Sequence, residues 1–148
     1  MAEEPKPRCE FESGKLILQL SFVVPGDVGA ISPVVDGVMH IARQMDCAPG
    51  KEFEIEIAVR EALANAIIHG CKNDPGKTVQ FCVALDAERG MLIVVRDPGG
   101  GFEPSKVPSP TMGQNVFSGH GRGIYLINEL MDEVHFERGG TEIRMTKR

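Results

Sequence analysis

The sequence predicts an α+β fold, a two-layer α/β sandwich in which helices pack on one face of a mixed, mostly antiparallel sheet. Three observations carry this expectation. Segments with the period of a strand come as two hairpins, near 79–96 and 134–146. Segments with the period of a helix lie between strands without alternating one for one with them. The resulting order, β-α-α-β-β-(long loop)-α-β-β, puts hairpins after helices, which favours antiparallel pairing over a parallel, doubly wound sheet. The chain has 148 residues, enough for one domain with one sizeable core.

Residues 1–14 read as an N-terminal tail and 15–148 as the domain. Within Lys15–Val24, Leu16, Leu18, Leu20 and Phe22 alternate on one face, the signature of a half-buried strand. Pro25-Gly26-Asp27 breaks it. Residues 28–46 carry Ile31, Val34, Val35, Val38, Ile41, Ala42 and Met45 at helical spacing, with Pro33 in the first turn, where proline is tolerated. Pro49-Gly50 separates this helix from a second over Glu52–Cys71, which stops near Gly70 before Asn73-Asp74-Pro75-Gly76. Val79, Phe81, Val83 and Leu85 mark a strand. After the turn Ala87-Glu88-Arg89-Gly90, the near-continuous apolar run Met91–Arg96 reads as a more central strand. From Pro98 to Gly119 no period survives, and Gly, Pro and small polar residues dominate. A loop of this length in a compact domain is usually a functional lid or disorder. A third helix is expected over Arg122–Met131, then a last hairpin of Val134–Glu137 and Glu142–Thr146 around Arg138-Gly139-Gly140-Thr141.

Composition narrows the function classes. Hydrophobic residues make up 42% and charged ones 25%, which suits a folded globule and excludes a disordered chain. Sixteen basic against 21 acidic residues give a net charge of −5, the wrong sign for direct nucleic-acid binding. With no Trp and one Tyr, there is little material for stacking bases along a strand. No apolar run approaches the roughly 18 residues needed to cross a bilayer, so no membrane segment is expected. The polar start, Met1-Ala-Glu-Glu-Pro-Lys-Pro, lacks a signal-peptide pattern, and a cytoplasmic location is expected. Cys9, Cys47, Cys71 and Cys82 show no Cys-x-x-Cys spacing and are expected to be reduced thiols.

The second helix is the most informative element. Apolar residues coat almost its whole circumference, interrupted by one narrow stripe of Glu61, Asn65 and His69, each four residues apart, with Glu54 below. A solvated face would be wider and richer in charge. A thin stripe on a buried helix fits either a cleft wall or a satisfied internal network. Glu61 and Asn65 point the same way. A carboxylate can accept a proton, and an amide oxygen is a hard donor suited to Mg²⁺ when phosphates supply the remaining ligands. His69, near the helix end, reads as a structural histidine bonded to backbone. Asp97-Pro-Gly-Gly-Gly-Phe102 closes the central strand. Its carboxylate can accept from an amino group while the glycines let backbone approach closely; the other reading is a strand running into a loop. Gly119-His-Gly-Arg-Gly123 opens the third helix, where exposed N–H groups and Arg122 would favour phosphate, or where the chain would simply hinge.

The combination is more specific than its parts. Glu-x-x-x-Asn-x-x-x-His on a helix, Asp-x-Gly-x-Gly-Phe after a strand, Gly-x-Gly-x-Gly at a helix start and Gly-Thr before the last strand occur in that order. This resembles the GHKL superfamily of ATP-binding domains (gyrase, heat-shock chaperone, histidine kinase, mismatch repair). Glu61-Ala-Leu-Ala-Asn-Ala-Ile-Ile-His-Gly70, Leu130-Met-Asp-Glu-Val134 and the length resemble its bacterial anti-sigma-factor serine/threonine kinases, over about residues 15–147.

The resemblance implies Mg-ATP as the bound nucleotide and gives each residue a role. Glu61 would be the general base. Asn65 would hold Mg²⁺. Asp97 would bond the adenine amino group, with Gly99 and Gly101 folding around the base. Gly119, Gly121 and Gly123, with Arg122, would wrap the phosphates, and residues 103–120 would form the ATP lid. Thr141 would reach adenine, through water. It also implies a small antagonist protein as phosphoacceptor and a sequestered sigma factor, and it is compatible with a homodimer. Two positions depart from the pattern. Ser118-Gly119-His120 stands where such kinases can carry a basic residue, so no residue is assigned to the γ-phosphate. Val34-Val35-Asp36 stands where they can carry an arginine that grips a sigma factor. A non-catalytic module, in which nucleotide only shifts partner affinity, is the other function compatible with these motifs.

Overall fold

The computed structural model describes residues 16–99 and 119–148. The expected tail, Gly101 and the lid up to residue 118 lie outside the described residues.

Among the described residues, five strands form one sheet: β1 (Leu16–Pro25), β2 (Thr78–Asp86), β3 (Gly90–Arg96), β4 (Glu133–Glu137) and β5 (Glu142–Lys147). Their order is β1-β2-β3-β5-β4, and every pairing among the described residues is antiparallel. The α-helices among the described residues, α1 (Ile31–Gln44), α2 (Glu52–Asn65) and α3 (Gly119–Leu130), make the α+β sandwich. In α2 the buried residues are Ile55, Ala58, Val59, Ala62 and Leu63. This helix packs against both α1 and α3 and also reaches β3. A helix with neighbours on three sides needs apolar residues on most of its surface, which explains the coat read from the sequence. The principal core joins these helices to Val79, Phe81, Val83, Leu85, Met91, Ile93, Val95, Ile143 and Met145, alternate residues of β2, β3 and β5.

The intervening residues of the central strands face the other way. Cys82, Ala84, Leu92 and Val94 form a second buried cluster there. On the same face, Arg96 Nε donates to Glu142 Oε1 at 2.9 Å, and Arg96 Nη2 lies 2.7 Å from that oxygen, with the side chains 8% and 3% exposed.

Four local expectations change. The apolar residues of β1 are less covered than a half-buried strand would require: Leu16 is 44% and Phe22 38% exposed, while Val24 is buried. Among the described residues the strand lies at the sheet edge, flanked by β2 alone, and its register is irregular between Leu16 and Leu18. The regular α-helix of α2 ends at Asn65, and Ala66–Gly70 continue as a π-helical turn, with Cys71 N–H donating to Ala66 O at 2.8 Å. The start of α3 is Gly119, not Arg122, so residues 119 and 120 of the expected lid are helical. Last, Cys82 is disulfide-bonded, whereas Cys47 and Cys71 are the free, buried thiols the sequence suggested.

Candidate nucleotide-binding site

The end of α2, the end of β3 and the β4–β5 hairpin surround a pocket of about 480 Å³, counted out to its open mouth. Its helix wall is Ala62, Asn65, Ala66, His69 and Gly70, and its sheet wall is Val95, Asp97, Phe136, Gly140, Thr141 and Ile143. The mixture of apolar walls with few polar groups is that of a small-molecule site.

Asp97 follows β3 directly, and its N–H donates to Thr141 O at 2.9 Å, which continues the β3–β5 ladder by one residue. Its Oδ1 accepts from Gly99 N–H at 2.7 Å. Oδ2 accepts no protein hydrogen bond among the described residues. Burial pushes the Asp97 carboxyl above the usual aspartate range, and the Gly99 N–H opposes this by stabilising the anion. Gly70 is required at the back of this carboxylate, because a β-carbon there would collide with the Asp97 side chain. The π turn thus delivers a residue without a side chain to a close approach to Asp97, a setting in which such turns recur. Behind Gly70, burial and then the charge of Asp97 raise the thiol pKa of Cys71.

Thr141 stands beside Asp97 across the ladder. Its hydroxyl donates to Arg138 O at 2.9 Å, so toward any further partner its oxygen can act only as an acceptor. The turn before it winds through positive φ at Arg138, Gly139 and Gly140.

A second group lies one helical turn further back along α2. Glu61 and Asn65 are both partly buried, and α3 crosses them at Gly123. A β-carbon on Gly123 would sit 2.9 Å from Glu61 Oε2 and 3.5 Å from Asn65 Nδ2. Two motifs far apart in the sequence therefore meet, and Asn65 belongs to both this group and the pocket. Gly119, Gly121 and Arg122 lie within the helix α3, in the turn that precedes Gly123.

Among the expected residues, the structure brings Asn65, Asp97 and Thr141 to the pocket, sets Gly99 against Asp97, and sets Glu61 and Gly123 beside Asn65. His69, read as structural, lines the pocket and is exposed. Its place in the Glu61-Asn65-His69 stripe was the available signal. Gly70 and Phe136 were not singled out. The strand period that aligns Phe136 with its partner Ile143 could have found the latter; nothing local could have found the contact of Gly70 with Asp97.

Among the described residues, no cluster of three or more His, Cys, Asp or Glu side chains could hold a metal, and no helix is long and apolar enough to cross a membrane. The family description "Histidine kinase-like ATPase domain" matches residues 24–147. The chain is similar to the serine-protein kinase RsbW of Bacillus subtilis (strain 168), with 32% identity over 132 residues, 83% of this chain and 79% of that protein. It is similar to RsbW of Bacillus licheniformis at 35% identity, again over 83% and 79%. It is also similar to the anti-sigma F factor of Geobacillus stearothermophilus at 34% identity, over 74% of this chain and 78% of that protein. The fold, the pocket and these matches agree: the chain belongs to the histidine kinase-like ATPase family.

Proposed function

We propose that this protein is an ATP-dependent protein serine kinase of the anti-sigma-factor type, which phosphorylates a small antagonist protein and sequesters a sigma factor when that antagonist is unavailable. The observation that carries the reading is the meeting of Glu61, Asn65 and Gly123 beside a pocket whose polar end is Asp97. Adenine would sit against Asp97 Oδ2 and Thr141, and the phosphates would run toward Asn65 and the first turns of α3. The residues present suit Mg²⁺ only as an ion held mainly by phosphate: Asn65 offers one hard oxygen, and no clustered carboxylates compete for it among the described residues. Bound there, the ion would neutralise charge on the phosphate oxygens. Glu61 would accept the proton of the attacking serine hydroxyl, and the close approach of Gly123 would hold its carboxylate in place. The names of the similar proteins, a serine-protein kinase and an anti-sigma factor, support both halves of the function.

The test is Glu61→Gln, which keeps size but loses proton acceptance. It should bind Mg-ATP at least as well as wild type and transfer phosphate at least about a hundredfold more slowly. Asn65→Ala should lose Mg-dependent affinity and transfer together. A second reading, a nucleotide-gated binding module without transfer, is favoured by one feature: Ser118-Gly119-His120 offers no Lys or Arg ahead of the helix. Wild-type protein that binds ATP but phosphorylates none of its organism's small antagonist proteins would establish that second reading.

A further inference from the structure

The ion pair on the far face of the sheet stands directly behind the pocket. Arg96 and Glu142 are register partners across β3 and β5. Their sequence neighbours Val95, Asp97, Thr141 and Ile143 all line the pocket, because side chains alternate along a strand. Arg96 Nη1 also donates to Gln80 Oε1 at 3.4 Å, and Arg144 Nη1 lies 3.7 Å from Glu142 Oε2, so the pair ties β2, β3 and β5 together beneath Asp97 and Thr141.

We infer that Arg96 and Glu142 are positioning residues for recognition of the nucleotide base: their buried ion pair fixes the β3–β5 register that sets Asp97 beside Thr141. The inference rests on the proposed function, in which those two residues read adenine. Its physical basis is the penalty for a slip. A shift of one residue would turn Glu142 toward the pocket and Thr141 away from it, and it would strand the Arg96 guanidinium in a buried site without its carboxylate. Buried ion pairs add little stability compared with apolar residues of similar size, whereas one partner alone is strongly unfavourable. Such a pair is therefore better suited to choosing one register than to strengthening the fold.

The experiment replaces the pair by apolar residues, Arg96→Met with Glu142→Leu, in the full chain. Affinities for ATP, GTP and inorganic triphosphate are measured by calorimetry alongside thermal unfolding. A merely structural pair would move all three affinities together or none. A positioning pair predicts a folded variant whose ATP affinity falls about tenfold, the value of roughly one hydrogen bond, while GTP and triphosphate hold as before. The ATP:GTP ratio then shrinks by the same factor. A folded variant with the wild-type ratio overturns the inference. If the double variant does not fold, Arg96→Lys decides. It keeps the charge but loses the planar fork, and an unchanged ATP:GTP ratio in it is equally fatal. Wild-type protein that binds no ATP removes the underlying function and the inference with it, a failure visible before any variant is made.

Discussion

The two ends of the site are built from different materials. The proposed base end rests on the sheet: Asp97 directly follows β3 and Thr141 directly precedes β5, bonded backbone to backbone, with an ion pair behind them. The proposed transfer end rests on helices: Glu61 and Asn65 are one turn apart on α2, and α3 passes close to both at Gly123. A ladder fixes neighbours residue by residue through directional bonds. A helix crossing fixes them only through side-chain volume. Substitutions at the base end should therefore act through polar chemistry alone, whereas at the transfer end steric fit adds to the loss of polar groups.

The largest effect separating the two ends is expected from Asp97→Ala. Hydrogen bonds to a charged group contribute about 1.5–3 kcal/mol, so ATP and ADP affinities should fall together by roughly ten- to a hundredfold. Calorimetry on the folded variant checks this, and unchanged ADP affinity would take Asp97 out of the site. Next comes Gly123→Ala. The added carbon meets Glu61 Oε2 at 2.9 Å, a contact that has to shift. Small misplacements of reacting groups are costly, so transfer should slow about tenfold with ADP affinity kept. Loss of ADP binding in step with transfer would erase the distinction between the ends.

The smallest effect is one of pH. Burial raises the Asp97 pKa, so on acidification its charge is lost earlier than that of an ordinary aspartate. ADP affinity should begin to fall at a higher pH than an unperturbed carboxylate would allow, and Asp97→Asn should flatten that dependence. Stability without nucleotide runs the opposite way. A carboxyl whose folded pKa is raised contributes stability that is complete below its unfolded pKa and is lost as pH rises through the folded one. Titrations of ADP affinity and of melting temperature should therefore carry opposite slopes, and parallel slopes would show that Asp97 controls neither.

The sequence revealed what local pattern encodes. Both hairpins were legible from the alternation of Val79, Phe81, Val83 and Leu85 and from turns such as Ala87–Gly90. The polar stripe on α2 was legible because its neighbours are apolar. What escaped depends on tertiary neighbours. The exposure of β1 follows from its place at the sheet edge, which alternation cannot report. The π turn at Ala66–Gly70 leaves no mark in a periodicity. The start of α3 was placed late because glycine costs about 1 kcal/mol per helix position relative to alanine. At Gly123 a side chain would run into Glu61, which offsets that cost. Similarly, the proximity of Asp97 to Thr141 is a fact of strand order. The roles of Gly119, Gly121 and Arg122 toward phosphate, and that of Gly101, rest on the resemblance alone.

Because α3 passes over the carboxylate of Glu61, it also has an optical consequence. The chain has no tryptophan and a single tyrosine, and that tyrosine, Tyr125, lies on α3 two residues beyond Gly123, partly buried. The intrinsic ultraviolet emission of the protein therefore comes almost entirely from the helix that touches the transfer end. Nucleotide added to the unlabelled chain would be seen mainly from that helix, since the seven phenylalanines emit only weakly.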